Sequence, residues 1–122
     1  MNSVGELADP DLIAALQEVV NRRASDLHLT VGAPPMYRID GALESAGSSL
    51  PWSAEKIRTA VMSLLSESQR NTFENDLELD FAYTISSEAR FRINIYQQRG
   101  SIGGAFRIIP TELKKLQELG VP

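Results

Sequence analysis

The sequence predicts an α+β domain, a largely antiparallel sheet with helices packed on one face. Three observations carry this. Apolar residues recur at helical spacing in two separate stretches, 12–20 and 57–65, and each is preceded by capping residues. Strict alternation of apolar and polar residues marks strands at 26–30, 79–85 and 91–95. The links between the later strands are too short for the crossovers that parallel pairing needs. At 122 residues, 43% hydrophobic and 23% charged, the chain makes about one domain and can bury a core.

In chain order, Asp9 suits the N-cap and Pro10 the first position of the first helix. Leu12, Ile13, Leu16, Val19 and Val20 form its apolar face, and Arg22 and Arg23 close its last turn, where positive charge suits the dipole. Asp26-Leu27-His28-Leu29-Thr30 reads as a half-buried strand, and Gly32-Ala33-Pro34-Pro35 breaks it. Met36 to Ile39 is a second strand, turned by Asp40-Gly41 into a short third over Ala42-Leu43-Glu44. Ser53 caps a second helix, with Trp52 and Ile57 at the two positions of a hydrophobic staple and Ile57, Ala60, Val61, Leu64 and Leu65 as its stripe. Ser66 and Gln69 have the spacing of a capping box, so a further helix is expected to about Asn75. Leu79, Phe81, Tyr83 and Ile85 share one strand face, and Phe91, Ile93 and Ile95 share another, with Arg90, Arg92, Asn94 and Tyr96 opposite. Gly103 to Ile109 reads as the last strand, stopped by Pro110; Thr111 to Leu119 reads as a short amphipathic helix and Gly120-Val121-Pro122 as a linker.

Composition excludes several functions. Twelve basic against sixteen acidic residues give a charge of −4, which disfavours a generic binder of nucleic acid or anionic membranes. The absence of cysteine excludes disulfides, thiolate zinc, iron–sulfur clusters and Cys nucleophiles, and a single His excludes multi-His metal sites. No apolar run is long enough to cross a bilayer, and the first residues lack a basic start and an apolar core, so the expected location is the cytoplasm. There is no G-x-x-x-x-G-K-[ST] and no G-x-G-x-x-G. Gly100, Gly103 and Gly104 lie between strands with no helix after them, which suits a turn and close packing better than a phosphate cradle.

Four segments together point further. Ala24-Ser25-Asp26-Leu27-His28-Leu29 and Gly32 to Gly41 resemble the start of the PilT family, the hexameric retraction ATPases of type IV pili. Arg90 to Gly100 and Ala105-Phe106-Arg107-Ile108-Ile109-Pro110 resemble two further stretches of that family, and Glu118 to Pro122 is similar to its linker into the motor domain. The resemblance runs from about residue 10 to the end. It implies a PAS-like N-terminal domain over 1–116, with 117–122 beginning the linker to a RecA-like ATPase domain outside this chain. The chain is thus expected to be part of a longer protein and not to hydrolyse ATP itself. Its parent is expected to bind ATP and Mg, with nothing tightly bound to this fragment. The implied partners are its own motor domain, neighbouring protomers of a homohexameric ring and the inner-membrane pilus platform protein, with no nucleic acid. The implied place is the cytoplasmic face of the inner membrane. Retraction rests on Leu-His-Leu-Thr-Val-Gly-Ala-Pro-Pro, where assembly and secretion ATPases usually continue Ile-His-Ile-Glu-Pro. A related assembly or secretion ATPase, or a stand-alone PAS-like sensor or scaffold, is the alternative.

The resemblance also nominates Arg92 and Arg107, on neighbouring strands, as contacts to the terminal phosphates of ATP held by the motor domain. The chemistry suits them, since a guanidinium forks onto phosphate oxygens and keeps its charge. The alternative is a solvated strand face. Arg90 and Arg99 are weaker candidates for nucleotide or subunit contact. His28 reads as a structural hydrogen-bonding group, and Asp26 and Ser25 as residues that tie down the strand start. Asp76, Glu78 and Asp80 read as an acidic stripe along one solvated edge, or as an ionic contact to the next subunit. Pro34, Pro35 and Met36 read as an exposed apolar corner, either a rigid turn or a docking point. No catalytic or metal-ligating residue is expected in the chain.

Overall fold

A computed structural model describes residues 8–45, 50–87 and 89–110. The element order is α1 (Pro10–Arg22), β1 (Asp26–Leu29), β2 (Met36–Ile39), β3 (Ala42–Ser45), α2 (Ala54–Met62), α3 (Glu67–Asp76), β4 (Glu78–Ser86), β5 (Ala89–Gln98) and β6 (Ser101–Ile109). The expected tail helix and linker, 111–122, lie outside the described residues.

The helix starts follow the capping chemistry. The Asp9 side chain accepts from the Leu12 amide at 3.0 Å, and Ser53 accepts from Lys56 N at 3.1 Å. Both halves of the Ser66–Gln69 capping box are formed, at 2.8 and 3.1 Å. Trp52 and Ile57 are both buried, as the staple requires. Leu64 and Leu65 are buried too, but α2 ends at Met62, so they pack from the α2–α3 connection. Arg23 and Leu77 end α1 and α3 in the left-handed region.

The six strands form one antiparallel sheet in the order β3-β2-β1-β6-β5-β4. Two connections are two-residue hairpin turns with positive φ at both positions, Asp40–Gly41 at 52° and 85° and Arg99–Gly100 at 54° and 81°. The strand after the second turn begins at Ser101, two residues ahead of the sequence expectation, because tight closure of the hairpin lets pairing start at once with Gln98.

Directly opposed residues share a face, so the register divides the sheet into two sides. One row runs Tyr37, Leu27, Phe106, Ile93, Phe81 across five strands. This side meets Leu12, Leu16 and Val19 of α1, Ile57 and Val61 of α2 and Phe73 of α3 in a single apolar core. Gly104 lies on this side because a Cβ there would stand 3.0 Å from Phe106 and 3.4 Å from Ile95. Among the described residues the other side carries no helix. Two of its rows run Arg38, Asp26, Arg107, Arg92, Ala82 and Met36, His28, Ala105, Asn94, Asp80. The fold is α+β, with its helices on one face of an open antiparallel sheet.

Two sequence expectations need correcting. Asp76 is the last residue of α3, and the left-handed Leu77 turns the chain before β4 starts, so Asp76 does not join a strand stripe with Glu78 and Asp80. Pro34-Pro35-Met36 is no exposed corner: Pro35 is buried and its neighbours half-buried. Backbone bonds from Gly32 N to Trp52 O and from Trp52 N to Ala33 O, each 3.0 Å, strap this turn to the segment before α2. Among the described residues the exposed large apolar ones are instead Val31, Leu43, Leu50 and Leu77.

Candidate functional site

The helix-free face concentrates the chain's polar chemistry. Arg92 of β5 and Arg107 of β6 stand directly opposite each other, both exposed. Like charges so placed repel, by up to about 1 kcal/mol. Among the described residues neither has a side-chain hydrogen bond or ion pair. With Asp80, Asn94 and Ala105 they line a shallow depression of about 200 Å³. Two unpaired, forked cations, with the Asp80 carboxylate held by Asn94 beside them, form a donor set suited to an anion bearing several oxygens.

Arg107 also stands opposite Asp26, yet Asp26 is committed elsewhere. It is the one buried charged residue of the described chain, 4% exposed. Its carboxylate accepts from the Ser25 hydroxyl at 2.5 Å, bonds the His28 ring through Nε2, and lies 3.6 Å from the Arg38 guanidinium. Burial alone would raise its pKa; the hydrogen bonds from Ser25 and His28, with the charges of His28 and Arg38, outweigh it and hold the carboxyl below its ordinary value. Arg38 further donates to Gly41 O at 3.3 Å, which ties the network to the β2–β3 turn. The Asp26 carboxylate is thus engaged by Ser25, His28 and Arg38, and makes no ion pair with Arg107.

The structure brings Arg92 and Arg107 together but not the other arginines. Arg90 shares their face, yet its guanidinium turns away to Thr84 Oγ1 on β4, at 2.7 Å. Arg99 occupies the left-handed turn at the opposite end of the β5–β6 hairpin. His28 is half-buried and bonded as a structural residue. Glu78 and Asp80 both accept from Asn94 Nδ2 at 3.2 Å, so the two acids are bridged along an edge strand. Sequence reasoning missed Arg38 and the centrality of Asp26. A usable signal existed, since an acid and a histidine two apart on one strand share a face, and the hairpin strand beside them carries an arginine. No group of acidic or histidine residues among those described is placed to hold a metal ion, and no described helix is long and apolar enough to cross a membrane.

No protein-family model matches the chain. The type IV pilus retractation ATPase PilT of Pseudomonas aeruginosa is 34% identical over 111 residues, 91% of this chain and 32% of that protein. The type IV pilus ATPase PilU of the same organism is 33% identical over 107 residues, 88% of this chain and 28% of its own length. The chain therefore spans about a third of the length of these curated relatives. A crystal structure of the pilus retraction motor PilT with bound ADP matches with a TM-score of 0.77 at 33% identity, covering 91% of this chain and 32% of that one. The ATPase DotB of Legionella pneumophila matches with a TM-score of 0.70 at 20% identity, covering 92% of this chain and 32% of its own, a likeness of fold alone. By sequence along nearly its whole length, and by fold, the chain is a homologue of the PilT and PilU type IV pilus ATPases over one domain's length of them.

Proposed function

We propose that this chain is the N-terminal domain of a PilT-like pilus-retraction ATPase subunit, and that its helix-free face closes on ATP and Mg held by the subunit's motor domain. The observation that carries the reading is the exposed, uncompensated pair Arg92 and Arg107. Their guanidiniums would fork onto the terminal phosphate oxygens. ATP then has a contact in the closed arrangement that it lacks in the open one, and a ligand can shift a two-state equilibrium only through such a difference. After hydrolysis and loss of the γ-phosphate the contact weakens and the domain swings back. Packed against the next protomer of a homohexamer, each swing is passed around the ring as work on the pilus at the cytoplasmic face of the inner membrane, through the platform protein. Bond cleavage belongs to the motor domain.

The test is Arg92→Ala and Arg107→Ala in the full-length protein. Each should lower ATP turnover at least tenfold, of the order of losing one charge-assisted contact in a transition state, with no loss of thermal stability. Normal turnover in both variants would remove the assignment.

A further inference from the structure

The free edge of β4 carries a second inference, independent of the retraction reading. We infer that β4 pairs with the β4 of a second copy of this chain, antiparallel and centred on Ala82, joining two sheets into one. β4 is the last strand in the sheet order, so among the described residues one side of its backbone has no strand partner. It runs nine residues, longer than the typical five or six, and such an edge is a template for pairing. Proteins blunt such edges with Pro, charged side chains, bulges or a covering segment. Glu78 to Ser86 contains no Pro or Lys and its irregularity lies at its end, between Thr84 and Ser86; its two acids, Glu78 and Asp80, discourage only those pairings that set acid against acid. On the helix side Leu79, Phe81, Tyr83 and Ile85 remain only half-buried, beside a groove of about 620 Å³ that Leu64, Leu65, Phe81 and Tyr83 help to line.

The two-fold register fits the side chains. Ala82 is the midpoint of β4, so centring there pairs the whole strand. Phe81 then faces the second copy's Tyr83 and Leu79 its Ile85, twice over by symmetry, as apolar and aromatic cross-strand pairs. On the helix-free side Asp80 faces Thr84, so no acid opposes an acid. The hydrogen bond from Arg90 to Thr84 Oγ1 has already carried that guanidinium out to the edge strand. The second copy's Asp80 would arrive beside it, forming two symmetric ion pairs. A centre on Asp80 would instead set carboxylate against carboxylate. One strand edge makes a small interface, so the dimer should be weak and form only towards the upper end of the concentration range.

Sedimentation equilibrium of the chain from micromolar to millimolar concentration tests this. A monomer–dimer equilibrium is expected, weakened at least tenfold by Asp80→Arg or by Arg90→Asp and restored when both are combined. Hydrogen exchange of the unaltered chain gives a second reading that needs no variant: protection of β4 amides should rise with concentration. A monomer throughout with concentration-independent β4 exchange overturns the inference. So does a dimer indifferent to the single reversals, or a double variant that fails to recover.

Discussion

Replacing Arg107 with Gln removes one of two facing guanidiniums while keeping a long polar side chain on β6. An arginine that held the fold together would be missed; one kept for an absent anion would not. At about 6 Å, a reasonable separation for heads of directly opposed side chains, two unit charges in water repel by roughly 0.7 kcal/mol. Screening at physiological salt roughly halves this. Asp26 does not offset it, since its carboxylate is engaged by Ser25, His28 and Arg38. The Arg107→Gln chain should therefore be more stable by about 0.3–0.7 kcal/mol, a rise of roughly 1–4 °C in Tm for a domain of this size. The gain should vanish in 1 M salt, where the Debye length is about 3 Å. Urea unfolding at low and high salt measures both. Arg38→Gln is the control and should destabilise, because it strips a cation from the buried Asp26. A loss of more than about 1 kcal/mol in Arg107→Gln would refute the reasoning, since that size of loss marks a structural partner.

Two further predictions concern the rows beside that pair. Asp26→Asn keeps the shape but removes the charge that Ser25, His28 and Arg38 address, and should cost on the order of 2–3 kcal/mol in urea unfolding at pH 7. Because the folded carboxyl titrates below its ordinary value of 3.8, its stabilisation is complete above that pH and is lost as pH falls through the folded pKa. The stability of Asp26→Asn should accordingly fall less steeply on acidification than that of the unaltered chain; equal slopes would show that Asp26 is not the group responsible. On the core side Gly104→Val would drive a side chain into Phe106 and Ile95, and should lower thermal stability by about 1–3 kcal/mol, read by calorimetry.

The periodic parts of this fold were legible in the sequence because local chemistry decides them. Asp9, Ser53 and Ser66 cap the helices they precede, and Asp40-Gly41 turns the hairpin it predicts. The alternation of residues 91–95 sorted Phe91, Ile93 and Ile95 to the core and Arg92 to the bare face. What needed tertiary structure was register. No spacing within the chain says that Arg92 meets Arg107 rather than Arg90 or Arg99; that follows from the turn at Arg99–Gly100 and from pairing that starts with Gln98 and Ser101. That Asp26 ties down the start of β1 is legible in the sequence; that it is buried is not, because its burial depends on Arg38 arriving from β2 and on β6 lying on its other side. Asp76 was assigned to a strand because spacing cannot see the left-handed turn at Leu77, where a leucine occupies a position usually given to glycine.

The described helices cover one side of the sheet, and the other side is mostly charged and polar. Its rows carry mostly polar side chains, so a partner leaving it would expose little apolar surface to water. Contact there is made of ions and hydrogen bonds, which exchange for water at little net cost and weaken as salt rises. In the proposed function the sheet would serve as a reusable bearing surface. The core behind would keep its shape while the face in front engages and releases, and ionic strength would set how firmly it holds.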